Sequence, residues 1–114
     1  YLSLDELSTK NVNFFAARYG SVFCGTGALA VKEGYGEIKS MFVDPNYRGR
    51  GVADAILKCL ENLAHERCLP EIKLETGNTL HAAIKLYERN SFQLCGPFGD
   101  YTRNSSSIFM KKVL

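Results

Sequence analysis

A chain of 114 residues, 46% of them apolar, has material for one hydrophobic core, and a single domain over residues 1–114 is expected. Its formal charge of +2, from 14 Lys and Arg scattered among 12 Asp and Glu, leaves no concentrated basic surface for nucleic acid, and no apolar run approaches membrane-spanning length. Cys24, Cys59, Cys68 and Cys95 share no Cys-x-x-Cys spacing and have no paired histidines at ligand distance; with no signal-peptide pattern they read as reduced core thiols of a cytoplasmic protein without a metal.

Leu2, Leu4 and Leu7 around Asp5-Glu6 predict a short helical piece ended by Ser8-Thr9. From Asn11, residues 11–18 read as a strand containing Val12, Phe14, Phe15 and Ala16, and Tyr19-Gly20 as the hairpin turn into a second strand over 21–31. Gly25 and Gly27 inside that strand mark a bulge or a close backbone approach. Residues 32–36 form the next turn, and 37–43 the third strand of an antiparallel meander, broken by Asp44-Pro45-Asn46. From Val52 onward, Ile56, Cys59, Leu60 and Leu63 recur at helical spacing while Asp54, Lys58, Glu61, Asn62 and Glu66 fill the other face, up to a stop at Cys68-Leu69-Pro70. Residues 72–76 alternate as a strand. Gly77-Asn78-Thr79 reads as a turn carrying a helix cap, and Leu80, Ala83, Ile84 and Tyr87 as the stripe of a second helix ended by Asn90-Ser91. Residues 92–95 and 107–113 make the last strands, joined by a loop that contains Gly96-Pro97-Phe98-Gly99-Asp100-Tyr101. The order is mixed α/β, an antiparallel meander followed by β-α-β-α-β-β. The strands flanking the first helix should run parallel, because a helical crossover joins them.

Between the third strand and the first long helix lies Arg48-Gly49-Arg50-Gly51-Val52-Ala53. Two glycines let the backbone turn with its N–H groups inward, and the helix adds unpaired donors and the positive end of its dipole, which together make a cradle for a phosphorylated ligand. The nucleoside-triphosphate loop, Gly-x-x-x-x-Gly-Lys-Ser/Thr, is absent, and no third glycine follows Gly49-Arg50-Gly51 in dinucleotide register. With Arg-x-x-Gly-x-Ala after a strand ending Phe42-Val43-Asp44-Pro45, the chain resembles the GNAT superfamily of N-acetyltransferases. There the pattern Gln/Arg-x-x-Gly-x-Gly/Ala binds the pyrophosphate of acetyl-coenzyme A. A second stretch, Ala83-Ile84-Lys85-Leu86-Tyr87-Glu88-Arg89-Asn90-Ser91-Phe92, is similar to the family pattern Ala-Ile-x-Leu-Tyr-x-Lys/Arg-x-Gly-Phe, and the resemblance runs over residues 11–114.

The resemblance implies that the parallel strands splay, with the pantetheine arm of the cofactor in the gap. It further implies Arg48, Gly49, Arg50, Gly51, Val52 and Ala53 at the pyrophosphate, and backbone N–H groups around Met41, Phe42 and Val43 facing the oxyanion. Tyr87 matches the tyrosine assigned to protonate the coenzyme A thiolate; the plainer alternative is an aromatic on an apolar stripe, its hydroxyl satisfied by a neighbour. Glu37 resembles the general base that some members use directly or through water, against a strand-end glutamate pairing with Lys39 or an arginine. Glu75 is a second candidate base. Phe98 and Tyr101 either wall the acceptor pocket or plug it. A covalent cysteine route is disfavoured, since no thiol has a histidine activator in a motif; His65 falls on the polar face of the long helix and His81 at the start of the next.

Three departures stand out. Leu80 occupies the place of an asparagine often found three residues before the helix alanine, with Asn78 two residues early, which puts one cofactor contact in doubt. Ser91 replaces the usual glycine, so the helix must close without the residue freest to turn left-handed. The opening strand and helix of the family have no counterpart in the pattern, which suits a fragment or a shortened variant. The expected activity is acetyl transfer from acetyl-coenzyme A to a primary amine of a small molecule or amino acid, directly in a ternary complex. The run after the fifth strand argues mildly against a peptide terminus. No nucleic-acid or membrane partner is expected, and homodimerisation is left open. The rivals are a non-catalytic acyl-coenzyme A binding or sensor module and an acetyltransferase of protein amines.

Overall fold

Alternating apolar residues build the first half of a seven-stranded sheet from β1 (Leu2–Glu6), β2 (Val12–Tyr19), β3 (Val22–Lys32) and β4 (Tyr35–Val43), each antiparallel to the next. The computed structural model describes residues 1–8 and 12–114; Thr9 and Asn11, named above at the ends of expected elements, lie outside the described residues. Residues 2–6, expected to be helical, form a strand instead, paired with β2 from Leu2 opposite Tyr19 to Glu6 opposite Phe15. Arg18 bonds Asp5 across that pair at 2.6 Å. So short a segment gains too few internal bonds to repay helix nucleation, whereas the edge of β2 offers it a row of backbone partners.

A 3-10 turn at Pro45–Tyr47 leads through the glycine loop into α1 (Val52–Glu66). The helix buries Val52, Ile56, Leu57, Leu60, Leu63 and Ala64 against the sheet. A Cβ on Gly27 would lie 2.4 Å from Ile56 Cγ2, so α1 rests directly on the β3 backbone, the close approach that the glycines signalled.

The chain continues as β5 (Glu71–Gly77), α2 (His81–Arg89), β6 (Gln93–Cys95) and β7 (Ser107–Val113), and the sheet order is β1-β2-β3-β4-β5-β7-β6. β4 and β5 run parallel, as the crossover required. β6 and β5 are both antiparallel to β7 and so parallel to each other. Right-handed crossovers then set both helices on one face, where Leu57, Leu74, Leu86, Tyr87, Phe92 and Met110 share a core. On the opposite face Phe98 packs edge-on against Tyr35, Tyr101 and Phe109, with ring centroids 5.2–5.9 Å apart.

Two local expectations change. The N-cap of α2 is Leu80, with no side-chain cap bond; the Asn78 amide donates instead to the Ser105 carbonyl at 2.7 Å. The expectation of core thiols holds for Cys24 alone, since Cys59 and Cys95 are half-buried and Cys68 is exposed, all four being free. Cys68 and Ser91 close their helices left-handed, at φ of 56° and 72°, so Ser91 does occupy the conformation that its family counterpart, a glycine, adopts without strain.

Candidate active site

A one-residue irregularity in β4 creates the site. Ala28 faces Ser40 while Leu29 faces Ile38, so Lys39 is an extra residue bulged out of the β3–β4 ladder. β4 pairs with β5 only over Gly36 to Ile38 against Ile72 to Leu74, and beyond that point the two strands part. The bulge also resets which amides face the gap. Asp44 N–H donates to Cys24 C=O of β3 at 2.8 Å, and backbone direction alternates along a strand. Ser40 and Phe42 therefore point their polar backbone at β3, and Met41 and Val43 point theirs at the gap. Of the three residues expected to supply oxyanion donors, Met41 and Val43 are so oriented; Phe42 borders the gap through its exposed side chain.

The gap opens into a cleft of about 970 Å³, lined by Ile38 to Val43 on one wall and by Glu75, Thr76, Leu80 and residues of α2 on the other, with the glycine loop at its end. Gly49 and Gly51 both have φ of 78°, a left-handed turn in which a Cβ would meet nothing within 4 Å but would strain the backbone. Gly51 is the N-cap of α1 and makes no side-chain cap bond. The first intrahelical bond is Ala55 N–H to Gly51 C=O, which leaves the N–H groups of Val52 and Ala53 without an acceptor inside the helix, while that of Asp54 bonds its own carboxylate. These donors, the helix dipole and Arg48 on the lining fit a diphosphate. Arg50 is not on the lining: its guanidinium stacks on the Tyr47 ring, 5.0 Å from the centroid, and Tyr47 stacks in turn on Tyr19.

Tyr87 stands in the cleft wall, 5% exposed, its ring edge-on to Phe92 at 5.6 Å. The ring packs in the apolar core as the plainer reading has it, while no group among the described residues bonds its hydroxyl. Burial pushes the phenol up to about 12, which keeps it protonated across the working range. Asp54, in the first turn of α1, ties the two helices across the cleft. Arg89 reaches it through Nε at 3.2 Å and Nη2 at 2.7 Å, and the Asn90 amide at 3.0 Å. The bonds from Arg89 and then Asn90 lower the Asp54 pKa.

Glu37 lies on the other face of the sheet and does not line this cleft. Its carboxylate is 4% exposed, accepts from the Tyr101 hydroxyl at 2.7 Å and faces Lys39 Nζ at 3.4 Å. Both sequence readings thus meet in one residue, which is paired with Lys39 as a structural glutamate would be yet floors a second cavity of about 520 Å³ beside Tyr35, Gly99, Asp100 and Tyr101. Lys39 borders both cavities. Bonding to Glu37, ahead of burial, raises the Tyr101 pKa. Phe98 is a buried plug, while Tyr101 is a wall. Glu75 lines the main cleft and is bonded by Ser107.

Asn78 is occupied by Ser105 and lines neither cavity, whereas Leu80 presents an exposed apolar side chain to the cleft. The parts that sequence patterns missed are Lys39 at the bulge and the Asp54–Arg89–Asn90 tie. The tie could have been sought in Arg89, which stands at the basic position of the family pattern; nothing in the sequence marks the bulge. Among the described residues no cluster of His, Cys, Asp and Glu is arranged to hold a metal.

A model of the acetyltransferase (GNAT) family matches residues 2–92. The chain is 37% identical over 115 residues to an IAA acetyltransferase of Azospirillum brasilense, covering 99% of this chain and 75% of that protein. It is also 37% identical over 116 residues to the uncharacterised N-acetyltransferase YedL of Escherichia coli (strain K12), covering 99% and 73%. Among solved structures, a Klebsiella pneumoniae protein described as an acyl-CoA N-acyltransferase superposes with a TM-score of 0.88 at 37% identity, over 95% of this chain and 76% of that one. A Bacillus anthracis protein described as a streptothricin acetyltransferase, in complex with acetyl coenzyme A, superposes with a TM-score of 0.81 at 27% identity, over 95% and 65%.

Proposed function

The chain belongs to the acetyltransferase (GNAT) family and is an acetyl-coenzyme A-dependent acetyltransferase, and from that premise we propose that residues 1–114 form one domain acetylating a primary amine of a small molecule or amino acid, directly in a ternary complex. The observation that carries this reading is the meeting of two cavities at Lys39: a phosphate-ready cleft with Tyr87 in its wall, and a smaller cavity floored by a buried carboxylate.

The glycine loop and the first turn of α1, through Gly49, Gly51, Val52, Ala53 and Arg48, hold the diphosphate; Arg50 supports the loop from Tyr47. Acetyl-coenzyme A supplies the activated acetyl thioester. The N–H groups of Met41 and Val43 donate to the carbonyl oxygen as it gains charge. Glu37, directly or through a water, takes the first proton of the incoming ammonium and so frees the amine to attack; the second proton leaves nitrogen as the amide forms. Tyr87 presents a proton to the departing sulfur. A phenol at about 12 facing a thiol near about 8.5 would give up its proton at an uphill cost of about 5 kcal/mol. The hydroxyl therefore acts first as a hydrogen-bond donor to the thiolate, and the proton that finally reaches sulfur derives from the amine. Four free thiols are in keeping with the reducing cytoplasm.

A thiol-release screen across small amines, amino acids and peptides tests the proposal. Turnover with small acceptors is expected; turnover with peptides alone, or coenzyme A binding without turnover, would overturn it.

A further inference from the structure

The second cavity is lined by Lys32, Glu33, Glu37, Lys39 and Asp100 together with Tyr35 and Tyr101. Of its charged groups only Glu37 is buried, and a buried carboxylate must stay matched by a counter-charge and hydrogen bonds. In the structure Tyr101 and Lys39 supply them. Lys73, opposite Glu37 on β5, is engaged elsewhere: it pairs with Glu71 at 3.8 Å and lies over the Tyr35 and Phe98 rings at 5.0 and 5.7 Å.

An amine arrives at neutral pH as an ammonium ion. A plain alkylamine seated against Glu37 would set two cations, its own and Lys39, beside the one buried carboxylate, while Lys32, Glu33 and Asp100 on the same lining are exposed and solvated. An acceptor that carries a carboxylate brings the missing anion with it. The Lys39 side chain is 43% exposed and touches Glu37 only at 3.4 Å, so it is free to turn to that anion while the ammonium takes its place beside Glu37. Glu37, Lys39 and both charged ends of the acceptor are then paired, and the direct Tyr101 bond to Glu37 is left as it was. Lys39 is suited to this because the bulge lifts it out of the strand ladder, at the border of the two cavities.

We propose that the acceptor is an amine bearing a carboxylate, of the α-amino-acid class, recognised as a zwitterion with its ammonium at Glu37 and its carboxylate at Lys39. The proposal rests on the reading of this cavity as the acceptor site. Lys39 is the specificity-determining residue.

The test compares amino acids with the amines left by removing their carboxylate and with their neutral carboxamides, by thiol release at saturating acetyl-coenzyme A. The intact protein is expected to favour the amino acid by about tenfold or more in kcat/KM, mainly through KM. Lys39→Gln should bring that ratio close to one, and Lys39→Arg, which keeps the charge, should retain most of it. A ratio near one in the unaltered protein, or a preference surviving Lys39→Gln, overturns the zwitterion assignment and leaves the small-amine reading standing. No thiol release with any acceptor, while coenzyme A still binds in calorimetry, refutes the small-amine reading and this inference with it.

Discussion

Replacing Tyr87 by Phe removes one oxygen from the wall of the cleft and little else. The ring keeps its place against Phe92, and no group among the described residues loses a partner, because none bonds the hydroxyl. Stability should change by less than about 1 kcal/mol, since no buried donor or acceptor is orphaned. What disappears, in the proposed role, is a donor for the sulfur that becomes negative. A hydrogen bond to a charged group contributes about 1.5–3 kcal/mol, which converts to a fall of roughly 10- to 150-fold in kcat. The sign with pH follows from burial: with the phenol pushed up to about 12, the hydroxyl stays protonated below that value, so Tyr87 adds no alkaline limb between pH 6 and 10, about two units short of its pKa. The assay is steady-state thiol release at saturating acetyl-coenzyme A, beside calorimetric titration with coenzyme A. A kcat within about threefold of the unaltered protein, smaller than the loss of any charged hydrogen bond, would refute the role given to Tyr87.

Other perturbations follow from the same geometry. Ser91→Gly relieves a left-handed residue at φ of 72°, and should raise stability by about 0.5–1 kcal/mol, or roughly 2–5 °C in Tm, read by thermal unfolding; an unchanged or lower Tm would show that the strain is absent. Gly27→Ala drives a methyl to 2.4 Å from Ile56 Cγ2 and 3.1 Å from Met41 Sδ, which should cost about 1–3 kcal/mol in urea unfolding; a neutral result would mean that α1 does not sit on β3 as described. Gly51→Ala meets no atom yet strains φ of 78°, so coenzyme A affinity should fall roughly tenfold by calorimetry while the core stays intact by hydrogen exchange; unaltered affinity would detach the loop from the diphosphate. The Asp54 pKa is lowered by Arg89 and Asn90, so its contribution is present above the unfolded value near about 3.9 and is lost as pH falls through the folded value. Half-exposed, the tie adds at most about 1 kcal/mol, and the stability gap between the unaltered protein and Asp54→Asn should close below roughly pH 4; a gap that widens there contradicts the sign.

How much of this was legible beforehand differs residue by residue. The helix at 52–66 and the strands at 22–32 and 107–113 were readable because local periodicity and burial agree there. Residues 2–6 were not: three leucines near two acids satisfy a helical template, and the pairing edge of β2 overrides it from outside the segment. The side-chain cap expected within Gly77-Asn78-Thr79 is missing for a similar reason, because the chain needs residues 77–80 to turn before α2 begins.

At the site, residue types and spacing were enough for the left-handed turns and free N–H groups at a helix start, since glycines before an amphipathic helix carry that consequence locally. Tyr87 and Glu37 could likewise be named from short patterns of neighbours. That they face separate cavities, that Lys39 is bulged between those cavities, that Met41 and Val43 rather than Phe42 aim their amides at the gap, and that Arg50 rests on Tyr47 became visible only with the assembled sheet. All but the last depend on the register between β3 and β4 or on where β4 and β5 part, and the last on Tyr47 being stacked against Tyr19 of β2. Strand register is a relation between distant segments, set by the packing of α1 and the pleat together, and no window of consecutive residues contains it.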